Sequence, residues 1–169
     1  MFSCFNDKKG FTLVELMVSV AIIGFVATIG VVNYRNVGKS SALQLEAYKV
    51  AGDLQRTRSM ALGAVEFNGA VPSTWGAYFN IASPGQYLLF ADKNDDKIYD
   101  AGDSILQTVI LQNNITLDIT GAINITFVPP DPIVYLNGVN SGETSVKLKD
   151  QTGKTKTILV NSLGLIDVE

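Results

Sequence analysis

Two hydrophobic patterns divide the chain. An almost uninterrupted apolar run extends from Phe11 to Val32, 22 residues in which Glu15 is the only charge. As an α-helix at 1.5 Å per residue this run would measure about 33 Å, close to the roughly 30 Å hydrocarbon core of a bilayer. A soluble helix of that length normally keeps a polar face. The pattern therefore predicts a transmembrane helix over 11–32.

Beyond the run, apolar positions recur every three to four residues with polar residues between them. This spacing predicts that the helix continues over 33–63 as an amphipathic segment, and that Gly63 ends it. The inward positions are predicted to be Leu43, Ala47, Val50, Ala51, Leu54, Arg58, Ala61 and Leu62.

From about residue 75 the pattern changes to short apolar strands separated by turn residues such as Ser83-Pro84-Gly85. We expect 64–169 to form an antiparallel β domain with meander connections, in which Pro129, Pro130 and Pro132 break the sheet between two groups of strands. The fold class is thus α+β, a long N-terminal hydrophobic helix continuing into an amphipathic helix packed on antiparallel β-sheet. The predicted strands are Trp75–Ile81, Gln86–Ala91, Ser104–Leu111, Ile115–Ile119, Ala122–Val128, Thr144–Lys149, Thr155–Asn161 and Leu165–Val168.

Composition restricts the chemistry. The chain has no histidine and a single cysteine, Cys4, and its formal net charge is -3. Catalysis by Cys or His and a Cys/His zinc site are therefore excluded for the chain after residue 10, and we expect no enzymatic activity. An acidic chain has no general attraction for nucleic acid. Four lysines lie near one predicted hairpin, and we interpret them as charges that keep an exposed strand edge soluble and unpaired. They are Lys147, Lys149, Lys154 and Lys156.

The junction before the apolar run is the most informative feature. Lys8 and Lys9 precede Gly10 and favour a cytoplasmic N-terminus. A carboxylate such as Glu15 costs roughly 2.5–3.5 kcal/mol at a bilayer centre. Two interpretations stay open: Glu15 lies near the membrane surface and is hydrated, or it pairs with a positive group inside an assembly. A cut after Gly10 would create such a group, the α-amine of Phe11.

The residues KKGFTLVELMVSVAIIGF, from Lys8 to Phe25, resemble the class III signal of type IV prepilins and type II secretion pseudopilins. The resemblance implies that residues 1–10 are a leader, that a prepilin peptidase cleaves between Gly10 and Phe11 and N-methylates Phe11, and that Glu15 pairs with the N-terminus of a neighbouring subunit. It implies a single-pass inner-membrane precursor with its C-terminal domain outside the cytoplasm. Other pilins or pseudopilins and an inner-membrane assembly platform would be its partners. Many relatives have proline where this chain has Val32.

A looser resemblance extends over the C-terminal region. The segments LQRTRSMAL, Trp75-Gly76, LLFADKNDDKIYDAGDSIL, ITFVPPD and ILVNSLGLI are similar to those of the GspH/FimT group of minor pilins and pseudopilins. This resemblance implies a minor structural subunit of a pilus or a pseudopilus.

An acidic segment, DKNDDKIYDAGD, has the oxygen spacing of an EF-hand-type calcium loop. Position 6 is Lys97 where such loops have glycine, and position 12 is an aspartate where they have glutamate. The alternative is a hairpin loop whose side chains bond their own backbone amides. The calcium interpretation gives an alternative function, that of a membrane-anchored module that binds calcium or another ligand. DNA during uptake is one such ligand. The candidate calcium ligands are Asp92, Asn94, Asp96, the carbonyl of Ile98, Asp100 and Asp103.

Overall fold

The structure, a computed structural model, describes residues 10–129 and 133–169, and within these it leaves the side chains of 29–40 undescribed. The chain divides into two compact units, residues 1–38 and residues 39–169. One helix, α1, covers Leu13–Leu62. It ends where predicted: Gly63 N–H still bonds the Ser59 carbonyl at 3.0 Å, and the next residue, Ala64, takes a left-handed φ of 43°.

Nine strands follow in the second unit, and all of their pairings are antiparallel. They form a five-stranded sheet in the order β3-β2-β1-β5-β6 and a four-stranded sheet in the order β4-β7-β8-β9. The strands are β1 (Thr74–Asn80), β2 (Gln86–Asp92), β3 (Ser104–Ile110), β4 (Thr116–Leu117), β5 (Ala122–Val128), β6 (Ile133–Leu136), β7 (Glu143–Lys149), β8 (Thr155–Asn161) and β9 (Ile166–Val168). The α+β prediction is confirmed.

A single hydrophobic core joins the C-terminal part of α1 to both sheets. Alternate residues of β1, namely Trp75, Ala77 and Phe79, are fully buried in it, as a strand's period of two requires. The helix contributes the predicted face, and the second sheet contributes Val146, Leu148, Ile158 and Val160. Two predicted inward positions differ: Arg58 is only half-buried, with its guanidinium bonded to the Gly164 carbonyl at 3.1 Å, and Leu62 is 47% exposed. Of the helix residues, the buried ones in this unit are Leu43, Glu46, Ala47, Val50, Ala51, Leu54, Thr57 and Ala61.

The opposite face of the five-stranded sheet is covered by aromatic rings. Gly76 lies in β1 between Phe90 of β2 and Thr126 of β5, and a Cβ on this glycine would come within 2.5 Å of the Phe90 ring. The ring of Tyr99, from the acidic loop between β2 and β3, packs edge-on against that of Phe90 and at a tilt against that of Tyr78, with centroid distances of 5.3 Å and 4.8 Å. This packing places the acidic loop over the sheet.

The proline-rich segment does not separate two groups of strands, and that prediction was wrong. β5 ends at Val128 and β6 starts at Ile133, and the two strands pair on either side of the segment. The connections are also not a simple meander, because β5 returns to pair with β1. Residues 130–132 lie outside the described part of the chain. β6 was missed because prolines were taken to end the sheet where they only end a strand.

Candidate functional site

Gly10 and Phe11 lie just before α1 and are open to solvent. The Phe11 side chain is 82% exposed, and a Cβ placed on Gly10 would meet nothing within 4 Å. No contact of the described chain therefore requires a glycine at position 10. Among the described residues, nothing covers the peptide bond between Gly10 and Phe11.

Thr12 caps the helix that begins at Leu13. Its Oγ1 accepts a hydrogen bond from the Glu15 N–H at 3.2 Å, and its carbonyl accepts one from the Leu16 N–H at 3.1 Å. Thr12 is thus the N-cap and Glu15 the third helical residue, the sequence arrangement of a capping box. Among the described residues, no basic side chain lies within ion-pair distance of the Glu15 carboxylate.

The first turns of α1 expose apolar side chains on every side. All residues from 11 to 28 are exposed, Leu13 by 77% and Phe25 by 71%. The hydroxyls of Ser19 and Thr28 donate to backbone carbonyls one turn earlier, at 2.7 Å each, so the helix satisfies them internally. An apolar surface of this kind needs a cover from lipid or from other proteins.

The predicted span 11–32 includes four residues, 29–32, whose side chains are not described. Within the part of the chain that the structure does describe, no helix has both the length and the apolar character to traverse a membrane.

The acidic loop from Asp92 to Asp103 is held by its own side chains. Asp92 is fully buried at the end of β2 and accepts three hydrogen bonds: from the Thr74 hydroxyl at 2.8 Å, the Asp95 N–H at 2.7 Å and the Lys97 N–H at 3.0 Å. Asp103, at the far end, accepts from the Lys93 N–H at 3.1 Å and the Asp100 N–H at 3.0 Å. These two carboxylates close the loop at both ends.

Between these ends the remaining polar groups bond one another. The Asn94 amide donates to Asp96 at 3.0 Å and to Asp100 at 2.9 Å, and Asp96 also accepts from the Ile98 N–H at 2.9 Å. The Lys97 ammonium pairs with Asp95 at 2.9 Å, and this hydrogen bond raises the pKa of Lys97. Amide and ammonium groups thus supply positive partners within the loop.

The calcium prediction stays a prediction. Of the described residues, no three acidic, histidine or cysteine side chains are arranged to hold a metal ion together. The oxygens of Asp92, Asp96, Asp100 and Asp103 accept hydrogen bonds instead, as the hairpin-loop alternative supposes. Burial raises the pKa of the Asp103 carboxyl, and the charges of Asp92 and Asp100 act in the same direction.

The sequence analysis missed two acidic side chains on α1, those of Asp53 and Glu46. The Tyr87 hydroxyl donates to the Asp53 carboxylate at 2.6 Å, and burial together with this bond raises the Tyr87 pKa far above its ordinary value. Glu46, two turns earlier on α1, is 4% exposed; one of its oxygens has no hydrogen-bond partner, and its ion pair with Lys49 is long at 3.7 Å. The regular spacing of Glu46 with Leu43 and Val50 was the available signal.

The interpretation that the four lysines keep an outer strand unpaired was wrong. Lys147 and Lys149 lie on β7 and Lys156 lies on β8, and both strands have neighbours on each side. β4 pairs with Leu148 and Lys149 of β7, and the Asp118 N–H donates to the Lys147 carbonyl at 2.7 Å, so the open part of this edge lies before Lys147.

Comparison with known proteins identifies the N-terminal segment alone. Residues 5–31 match the family model described as the prokaryotic N-terminal methylation motif, a type IV pilin-type signal. The match includes Gly10, Phe11 and Glu15 and ends within α1, so it says nothing of the sheets. No curated protein and no solved structure matches the chain.

Proposed function

We propose that this chain is a structural subunit, of the minor class, of a type IV pilus or a type II secretion pseudopilus, and not an enzyme. Its precursor would be anchored in the inner membrane, cleaved after Gly10 and N-methylated at Phe11. The match of residues 5–31 to the methylation motif carries this proposal. The partners would be other pilins or pseudopilins, the peptidase and the assembly platform.

The geometry of the helix start supports the assembly step. Among the described residues the Glu15 carboxylate has no basic partner, and it lies in a mostly apolar, exposed part of α1. If neighbouring subunits cover that surface, the carboxylate is desolvated, and burying an unpaired charge is costly. The new α-amine of Phe11 on a neighbour is a partner of opposite charge that processing itself supplies.

The processing step is tested by co-expression with a prepilin peptidase and mass spectrometry of the N-terminus. The expected product begins with N-methylated Phe11. Gly10→Leu should remain uncut with an unaltered fold, because none of the described residues lies within 4 Å of a Cβ placed at that position. An uncut native chain, or a Gly10→Leu chain that is cut as well as the native one, would refute the processing proposal.

The assembly step needs a second pair of variants. Glu15→Gln keeps the size of the side chain and removes its charge, so it should be processed normally but lost from sheared filaments. Glu66→Gln removes an exposed carboxylate outside α1 and is the matched control. If Glu15→Gln enters filaments as well as Glu66→Gln does, the charge-pairing role is wrong even where processing is observed.

A further inference from the structure

β3 ends the five-stranded sheet with one side open. It pairs with β2, and within the described residues no strand pairs with its other side. Its seven residues, SILQTVI, include no charge and no proline. Proteins usually protect an outer strand with charge, proline or short length, because free N–H and C=O groups invite another strand.

The hydrogen-bond pattern identifies the free groups. The Leu111 N–H donates to the Gly85 carbonyl at 2.9 Å, next to the aligned pair Gln86 and Ile110. In an antiparallel ladder, bonded and non-bonded pairs alternate, so the backbone groups of Thr108 and Ile110 point away from β2. Among the described residues, the Ile110 carbonyl accepts a single long bond, from the Gln112 amide at 3.3 Å.

A bulge limits the regular part of this edge. The register shifts between Leu89 and Phe90 of β2, opposite Leu106, and is regular from Gln107 to Ile110. Ile110 is 60% exposed and Ile105 is 47% exposed. A second strand would therefore centre near Thr108 and would cover apolar side chains as well as backbone groups.

The other open edges are less suited to pairing. β6 has four residues and β9 has three. The part of β7 that lies beyond the β4 pairing and the Asp118–Lys147 hydrogen bond starts with a charge, Glu143. Among the strands described, β3 thus combines the greatest length with the absence of charge.

We propose that β3 pairs antiparallel with β3 of a second copy of this chain, about a twofold axis near Thr108. Self-pairing brings no like charges of the two strands together, since β3 itself is uncharged. The antiparallel direction places the acidic loop that precedes β3 in one copy beside the end of β3 in the other, so the two acidic loops stay apart. A twofold contact uses the same patch on both copies.

Cysteine cross-linking of the full-length chain in detergent tests this pairing. In a Cys4→Ser background, Thr108→Cys places one thiol near the axis, and a short bismaleimide should yield a covalent dimer on a denaturing gel. Thr155→Cys is the matched control, an exposed thiol on β8 in the four-stranded sheet and not on β3. The control should give no dimer above background.

Adding Ile110→Lys to Thr108→Cys should abolish the dimer, because each lysine would replace an exposed apolar side chain that the pairing covers, and a charged side chain on an outer strand opposes pairing. Ile110→Thr keeps a β-branched side chain and should preserve it. Thermal unfolding should be little changed by the lysine, because the replaced side chain is mostly exposed. Equal cross-linking of Thr108→Cys and Thr155→Cys, or no dimer from Thr108→Cys, would overturn the proposal whatever the lysine variant does.

Discussion

Asp92→Ala should destabilise the C-terminal unit more than any other change in the acidic loop. The carboxylate is fully buried and accepts hydrogen bonds from Thr74, Asp95 and Lys97. Alanine removes all three acceptors and leaves the fold's other contacts in place. The three donors differ in their access to water, and this difference determines the expected cost.

The Thr74 hydroxyl is fully buried, so losing its acceptor costs about 1–3 kcal/mol. The N–H groups of Asp95 and Lys97 belong to residues that water reaches, and each loss costs about 0.5–1.5 kcal/mol. Removal of a desolvated charge offsets part of the sum. We expect a net loss of about 3 kcal/mol in the free energy of unfolding.

Urea unfolding of residues 39–169, a unit with its own core, measures this loss. Asp96→Ala is the control: it removes two exposed hydrogen bonds and should cost less than about 1 kcal/mol. Equal urea midpoints for the two variants would show that burial of Asp92 does not hold the loop.

The same titration decides the calcium question. Because the loop oxygens already accept hydrogen bonds, we expect the native protein to have the same urea midpoint in millimolar calcium as in the presence of a chelator. A bound ion would instead add about 2.7 kcal/mol at a hundred times its dissociation constant, and Asp92→Ala would abolish that gain. A calcium-dependent rise in the native protein alone would favour the ion over the self-bonded loop.

Three further predictions concern the core. Gly76→Ala should cost about 1–3 kcal/mol, since its Cβ would overlap the Phe90 ring, and thermal unfolding against a Gly85→Ala control, where space is open, would measure it. Glu46→Met should leave urea stability unchanged or raise it by about 1 kcal/mol, because it removes a buried carboxylate with an unbonded oxygen; a clear loss would contradict this. The raised pKa of Tyr87 means that its neutral form is favoured in the fold, so stability should fall as pH rises above 10, where the unfolded tyrosine ionises; Tyr87→Phe should fall less, as parallel urea titrations would reveal.

Local patterns predicted the helix and most strands well. Gly63 was the expected end of α1, and β5 and β8 begin and end at their predicted residues. The pairing of β5 with β1 was not predictable, because strand periodicity identifies a buried face but not its neighbour.

The candidate sites also divide into those that a local sequence motif reveals and those that only the fold brings together. Gly10, Phe11 and Glu15 could be proposed from the sequence because the methylation motif that contains them is short and contiguous, and their roles stay predictions. Tyr87 and Asp53 are 34 positions apart, and only folding brings them together. The aspartates of the acidic loop have the spacing of metal ligands, but spacing does not reveal which backbone groups reach their oxygens first.

The Thr12 cap has a consequence for the chemistry of processing. A helix N-terminus carries a partial positive charge of roughly half a unit. Cleavage after Gly10 would place an ammonium one residue outside that cap, so two positive ends would adjoin, while Thr12 would still hold the first turn because its bonds do not involve the leader. Processing would thus change the electrostatic potential at the tip of α1 without unwinding it. A neighbour's carboxylate would then meet a stronger positive field than the uncut precursor could offer.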